Sequence, residues 1–129
     1  MKVKSINRES MRNLAIKLID YLDSKHLWDT TGIYVADQLY CDIGYAKPDD
    51  IERKTENGTV YYVRDIPDIK AMLEYSNPRT ISMIFEGPLY HKINYDDFDF
   101  IDKLDKKFLE EYGLYFEQGY AWSMAAYEV

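Results

Sequence analysis

Apolar residues along this chain recur in two rhythms, one of three and four and one of two, and the switches between them mark out the elements. Met11, Leu14, Leu18 and Leu22, with Ala15 beside them, keep the helical rhythm and predict an amphipathic helix over about residues 8–26. Asn7 is placed to cap it, and Ile6 to pack on Met11 four positions into the helix. Ile16 and Ile19 widen the apolar face, which suits a helix lying across a sheet. Thr30-Thr31-Gly32 breaks this pattern. From Ile33 the period is two, and Ile33, Val35, Leu39, Cys41, Ile43 and Tyr45 fall on one face of an extended strand. Asp37 is the one charged residue on that face, so either the strand bends or bulges at Ala36-Asp37-Gln38 or a carboxylate points inward. The bend or bulge is the preferred expectation.

Beyond the loop Lys47-Pro48-Asp49-Asp50, Asn57-Gly58 suits a two-residue type I′ turn joining a polar edge strand at about 51–56 to the strand Thr59–Arg64. Pro67 and Asp68 open a short helix bearing Ile69, Met72 and Leu73, and Asn77-Pro78 stops it. Thr80 to Glu86 reads as a strand with Ile81, Met83 and Phe85 on one face. Gly87-Pro88 ends that strand and starts a helical turn through Ile93. A second long helix is predicted over about 96–112, with Phe98, Ile101, Leu104, Phe108 and Tyr112 as its inner stripe and Leu109 broadening it. Asp96, Asp97 and Asp99 lie at the dipole's positive end, and Gly113 is placed to stop the helix. Leu114, Phe116, Tyr120, Trp122, Met124 and Ala126 again alternate. Gly119 among them is either a bulge in one long strand, the preferred reading, or the turn of a hairpin.

Strands joined by short turns imply antiparallel neighbours, and the βαβ alternation of a wound α/β fold is missing. The expected fold is therefore α+β: an antiparallel sheet of about five strands, with two long amphipathic helices (about 8–26 and 96–112) packed on one face. Residues 1–129 are expected to form a single domain. A chain of this mass buries roughly 68% of its unfolded surface, enough for a core without staples.

Cys41 is the lone cysteine, so no intrachain disulfide and no paired-cysteine metal site can form. Met1-Lys2-Val3-Lys4-Ser5 leads into no apolar run, and no stretch approaches the ~18 apolar residues of a spanning helix. The expectation is a cytoplasmic protein without a membrane partner, in which the Asn57-Gly58-Thr59 acceptor pattern stays unused. Charge is unevenly spread. Residues 1–64 carry ten basic and ten acidic side chains; residues 65–129 carry six and thirteen, which is the whole net charge of −7. A nucleic-acid binder needs a basic footprint, and only Lys2, Lys4, Arg8 and Arg12 offer one, which argues against nucleic acid as a partner.

Candidate chemistry is sparse. The chain has no Gly-rich phosphate loop, no His-Glu-x-x-His pattern and no Gly-x-Ser-x-Gly elbow, and two distant histidines give no metal signature. Cys41 with His91 or His26 is the one nucleophile–base pair to consider, although a cysteine on an apolar strand face acts as a small hydrophobe. Glu86-Gly87-Pro88-Leu89-Tyr90-His91 follows a strand end, where loops present functional side chains. The thirteen tyrosines are the most unusual feature of the composition. Tyr61 and Tyr62 must point to opposite faces of their strand, so one of them is available for contact. The acids of 96–117 suggest a phosphate mimic, but Asp99 before Lys103 and Asp102 before Lys106 form pairs that neutralise such a field.

The leading expectation is a non-catalytic cytoplasmic protein that acts through protein–protein contact, in its sharpest form an acidic inhibitor or immunity-type protein, with no cofactor. Glu86, Tyr90, His91, Tyr61 and Tyr62 are the binding candidates. The alternative is a small enzyme or ligand-binding domain with its site near Glu86, Tyr90, His91 and Cys41. A symmetric homodimer through a tyrosine-bearing sheet face is a third possibility.

Overall fold

The first helix forms where its pattern places it. In the computed structural model, which describes residues 2–129, α1 spans Arg8–Ser24. Asn7 Oδ1 accepts the Ser10 N–H at 2.8 Å and the Asn7 N–H donates to Ser10 Oγ at 3.0 Å, so two end groups satisfy each other. Met11, Leu14, Ala15, Leu18, Ile19 and Leu22 are all buried.

Among the described residues seven strands, not five, make one antiparallel sheet. They are β1 (Thr31–Val35), β2 (Gln38–Cys41), β3 (Ile51–Lys54), β4 (Val60–Asp65), β5 (Ile81–Phe85), β6 (Leu114–Gln118) and β7 (Ser123–Glu128), in the order β3-β4-β2-β1-β5-β7-β6. The two extra strands arise because both long period-two runs fold back on themselves. The run from Ile33 turns at Ala36 and Asp37, whose φ values of 51° and 60° define a two-residue hairpin of the primed kind rather than a bulge. Val35 pairs with Gln38, so both lie on one face and the alternation changes phase across the turn. Ile33, Val35 and Tyr40 therefore face the helices, whereas Leu39 and Cys41 face the other way. Ile43 and Tyr45 belong to a 3₁₀ turn (Ile43–Tyr45) instead of a strand. Asp37 is exposed at the turn, and Arg8 grips it: Arg8 Nη1 donates to Asp37 Oδ2 and Nη2 to the Ala36 carbonyl, both at 2.8 Å.

Gly119 likewise marks a hairpin between β6 and β7, not a bulge. Between β3 and β4 the turn is longer than the expected pair. The Thr55 N–H donates to the Thr59 carbonyl at 3.0 Å, and of Asn57 and Gly58 only the glycine takes a positive φ, 90°. Three loop residues with a left-handed glycine last are the other common hairpin solution.

The second helical region also departs from expectation. Helix α2 (Ile69–Met72) is a single turn, and α3 (Pro88–His91) runs into a π turn (Lys92–Asp96). Helix α4 begins only at Phe100 (Phe100–Leu104), then passes through a π turn (Asp105–Leu109) and a 3₁₀ turn (Glu110–Tyr112) to Gly113 at φ 68°. Phe98, expected on the inner stripe, lies before the helix and is 80% exposed. The buried residues are Phe100, Leu104, Leu109 and Tyr112. Their step of five from Leu104 to Leu109 is the extra residue that a π turn absorbs. One long helix and several short ones thus cover the first sheet face.

The second face is covered only in part. Ile66, Ile69 and Leu73, from the segment after β4, pack on Tyr34, Leu39 and Cys41, with Tyr45, Tyr62 and Ile84 at the margin. No residue of β6 or β7 belongs to this second cluster.

Candidate functional site

The structure separates the residues that the sequence grouped. Cys41 is fully buried in the second-face cluster, and burial pushes its thiol up to about 11. His91 is exposed on α3, whose Leu89, with Ile93 of the following π turn, packs into the cluster on the opposite face, and its ring lies 5.6 Å from that of Tyr95. Tyr90 is half-buried against that same helix-side cluster. Glu86 instead faces the second side, where its Oε1 accepts the Tyr45 hydroxyl at 2.6 Å. Burial first, and this hydrogen bond second, push the Tyr45 phenol up. Tyr61 is buried under the helices with its ring 5.2 Å from Tyr40, and Tyr62 is half-buried on the other face, donating to Glu52 at 3.3 Å. Cys41 and His91 are not brought together. His26 is exposed in the bend after α1, at φ 58°.

The Cys41 environment sets a testable pH behaviour. Its folded value lies above the ordinary 9.0, so the unfolded thiol ionises first. The stabilising contribution is whole below pH 9 and is lost as pH rises towards about 11. Iodoacetamide at pH 8 is expected to leave Cys41 unmodified in the native protein and to alkylate it promptly in urea. Rapid native alkylation would show that the thiol is neither covered nor protonated.

What the fold does assemble is an aromatic strip on the uncovered half of the second face. Register places Tyr115 opposite Tyr127 and Glu117 opposite Ala125, and Ala125 opposite Ser82. The Ser82 hydroxyl accepts the Asn77 N–H at 2.9 Å beneath the segment 73–77, which fixes these side chains on the second face. At the hairpin tip Gly119 leaves room for Tyr75: a Cβ there would come within 2.5 Å of the Tyr75 Cβ. Tyr75 packs edge-on to Tyr120 at 5.0 Å, and Tyr120 stacks on Trp122 at 4.9 Å with the planes 10° apart. Tyr120 donates to Glu74 Oε2 at 2.7 Å, and Tyr115 to Glu117 Oε2 at 3.1 Å; each bond raises its phenol's pKa.

These rings are both exposed and fixed. Tyr75, Tyr115, Tyr120 and Trp122 are 46%, 37%, 37% and 38% exposed. The tip is tied down from below, because Asn94 Nδ2 donates to the Ala121 carbonyl at 2.8 Å and Gln118 Nε2 donates to Asn94 Oδ1 at 3.1 Å. Tyr120 N donates to Ser123 Oγ at 3.0 Å. Held in this way, the aromatic side chains lose little freedom on contact with a partner. The sequence offered two signals for this site: the surplus of tyrosine, and the hairpin alternative at Gly119, which takes Tyr120 and Trp122 out of the inward alternation.

Among the described residues no cluster of His, Cys, Asp and Glu is arranged to hold a metal ion, and no helix is long and apolar enough to cross a membrane. No protein-family model, curated protein or solved structure matches the chain.

Proposed function

We propose that this protein is a non-catalytic, cytoplasmic binding protein and that it meets a protein partner through the uncovered half of its second sheet face. The observation that carries this reading is the fixed strip of Tyr75, Tyr115, Tyr120, Trp122 and Tyr127 on a half of the sheet that the second-face cluster leaves open. Tyrosine and tryptophan dominate the energetics of protein contacts because they bring large apolar area with few rotatable bonds. The acidic-inhibitor form of the reading draws its support from this face too. Asp96, Asp97 and Glu111 are engaged by Lys92, Lys103 and Lys4 at 3.1, 2.7 and 3.1 Å, whereas among the described residues the carboxylates of Glu74 and Glu117 accept only tyrosine hydroxyls.

A second copy of this chain, joined strip to strip, is one form that the partner can take.

The test is affinity capture from the native host's lysate with the wild-type chain and with Trp122→Ala. The variant alters an exposed side chain and is expected to melt within a few degrees of wild type. A stoichiometric protein retained by wild type and lost by the variant supports the reading. Identical retention by both, with a monomer by light scattering at high concentration, removes it.

A further inference from the structure

Among the described residues several aromatic rings on the helical side carry the chain's own lysines over their π faces, although the exposed Tyr95 and Phe98 do not. Lys4 Nζ lies 5.8 Å from the Tyr112 centroid, Lys25 and Lys107 lie 5.7 and 5.3 Å from Tyr21, and Lys92 lies 5.7 Å from Phe100. Among the described residues no cation is so placed over Tyr75, Tyr115, Tyr120, Trp122 or Tyr127. Of the cations that flank this segment, Arg79 donates through Nε to Glu128 Oε1 at 2.7 Å, and Lys70 Nζ donates to the Glu74 carbonyl, not its carboxylate, at 3.4 Å. Yet this strip holds two carboxylates, Glu74 and Glu117, at the hydroxyl ends of its rings.

Open ring faces beside carboxylates are the surroundings that a cation favours, since ring quadrupole and carboxylate charge attract it together. Resting on the binding role argued above, we propose that the strip recognises arginine side chains displayed by a protein partner. A guanidinium is planar, so it suits stacking on the Tyr120–Trp122 pair, and its fork of N–H donors suits the Glu74 carboxylate that holds the Tyr120 hydroxyl. Lysine fits less well, because an ammonium is a strongly hydrated point charge that neither stacks nor forks. Glu117 beside Tyr115 and Tyr127 makes a second, similar station along the hairpin, so a segment with more than one arginine gains from both. The chain's net charge of −7 further favours the approach of such a segment.

The experiment titrates the full chain with three blocked pentapeptides, Gly-X-Gly-X-Gly, in which X is arginine, lysine or citrulline. Citrulline keeps the planar shape of arginine without its charge. Binding is followed through the Trp122 indole N–H and the amides of 117–123 by nuclear magnetic resonance. The expected result is saturable shifts there with the arginine peptide and binding roughly three- to tenfold weaker for lysine. Citrulline is expected to be weaker still, and added salt to weaken the arginine peptide. Trp122→Ala abolishes the shifts, and Glu74→Gln weakens binding about fivefold without altering the melting temperature. Equal binding of arginine and citrulline, shifts that map to Tyr21 and α1, or no saturable shift overturns the proposal. If the arginine peptide fails while Trp122→Ala still loses a captured protein, the binding role stands and the arginine assignment falls. If the peptide binds and capture is insensitive to Trp122, the strip is a cation site without the proposed role.

Discussion

Deleting Lys17 is expected to unfold the protein, whereas deleting Lys106 is expected to leave it folded. Both are exposed lysines within helical segments, so a count of lost contacts does not separate them. The difference lies in helical phase. In α1 every buried residue is set by unbroken α spacing, and removal of one residue turns everything beyond it by about 100°. Leu18, Ile19 and Leu22, all at 0% exposure, would then leave the core, or Met11 and Leu14 would if the other half gives way. Each such side chain contributes roughly 1.5–3 kcal/mol by burial, so three together rival the ~5–15 kcal/mol that holds a domain folded. Lys106 instead lies in the π turn Asp105–Leu109. Removing it shortens the step from Leu104 to Leu109 from five to four, and Phe100, Leu104, Leu109 and Tyr112 then follow plain α spacing. The cost should stay near 1 kcal/mol, the scale of an ordinary surface change with some repacking. Far-UV circular dichroism and urea denaturation of the two deletions check this. Equal losses would mean that the π turn is not a one-residue insertion into an α pattern.

The same phase argument explains what the sequence revealed and what it hid. Helix α1 was legible because its stripe runs without interruption over 17 residues behind a capping box. The second stripe was legible in part: Leu104, Leu109 and Tyr112 are buried and Ile101 and Phe108 pack against the core, but Phe98 lies before the helix and Phe100 is buried in its place. The α+β class survived this error, since it needs only the two rhythms and not their phase. The β1–β2 hairpin was hidden for a different reason. Ala36 and Asp37 lack the Asn-Gly signature, and their left-handed φ is locally unfavourable. Strand pairing and the two Arg8 hydrogen bonds hold them there, and a local reading has no access to either. For the candidate site, Glu86 was legible as a strand end, but its partner Tyr45 was assigned to a strand that does not extend so far. The aromatic strip was least visible, because Glu74, with Tyr75 beside it, reaches Tyr120 across 46 positions of chain.

Replacing Arg64 with methionine is expected to cost about 3 kcal/mol, the lower end for breaking a buried ion pair by removing one partner. Arg64 Nη1 meets Asp50 Oδ2 at 2.6 Å, with the aspartate side chain 2% exposed and the arginine 21%. Asp50 therefore has no route to water once Arg64 is gone, while the partly wet guanidinium keeps the loss from reaching the upper end. The same carboxylate accepts the Lys47 N–H at 2.8 Å, and Arg64 donates to the Tyr45 carbonyl at 3.3 Å. One pair thus fastens the whole loop 42–50 over the second face, and with it the Tyr45–Glu86 bond. Asp50→Asn in the Arg64→Met background removes the stranded charge while keeping an acceptor for Lys47, and should restore more than half of the loss. Urea midpoints at constant slope measure both variants. A loss below about 1 kcal/mol for Arg64→Met would place the pair among exposed ones, where the loop is held by its turns and by Asp42 instead.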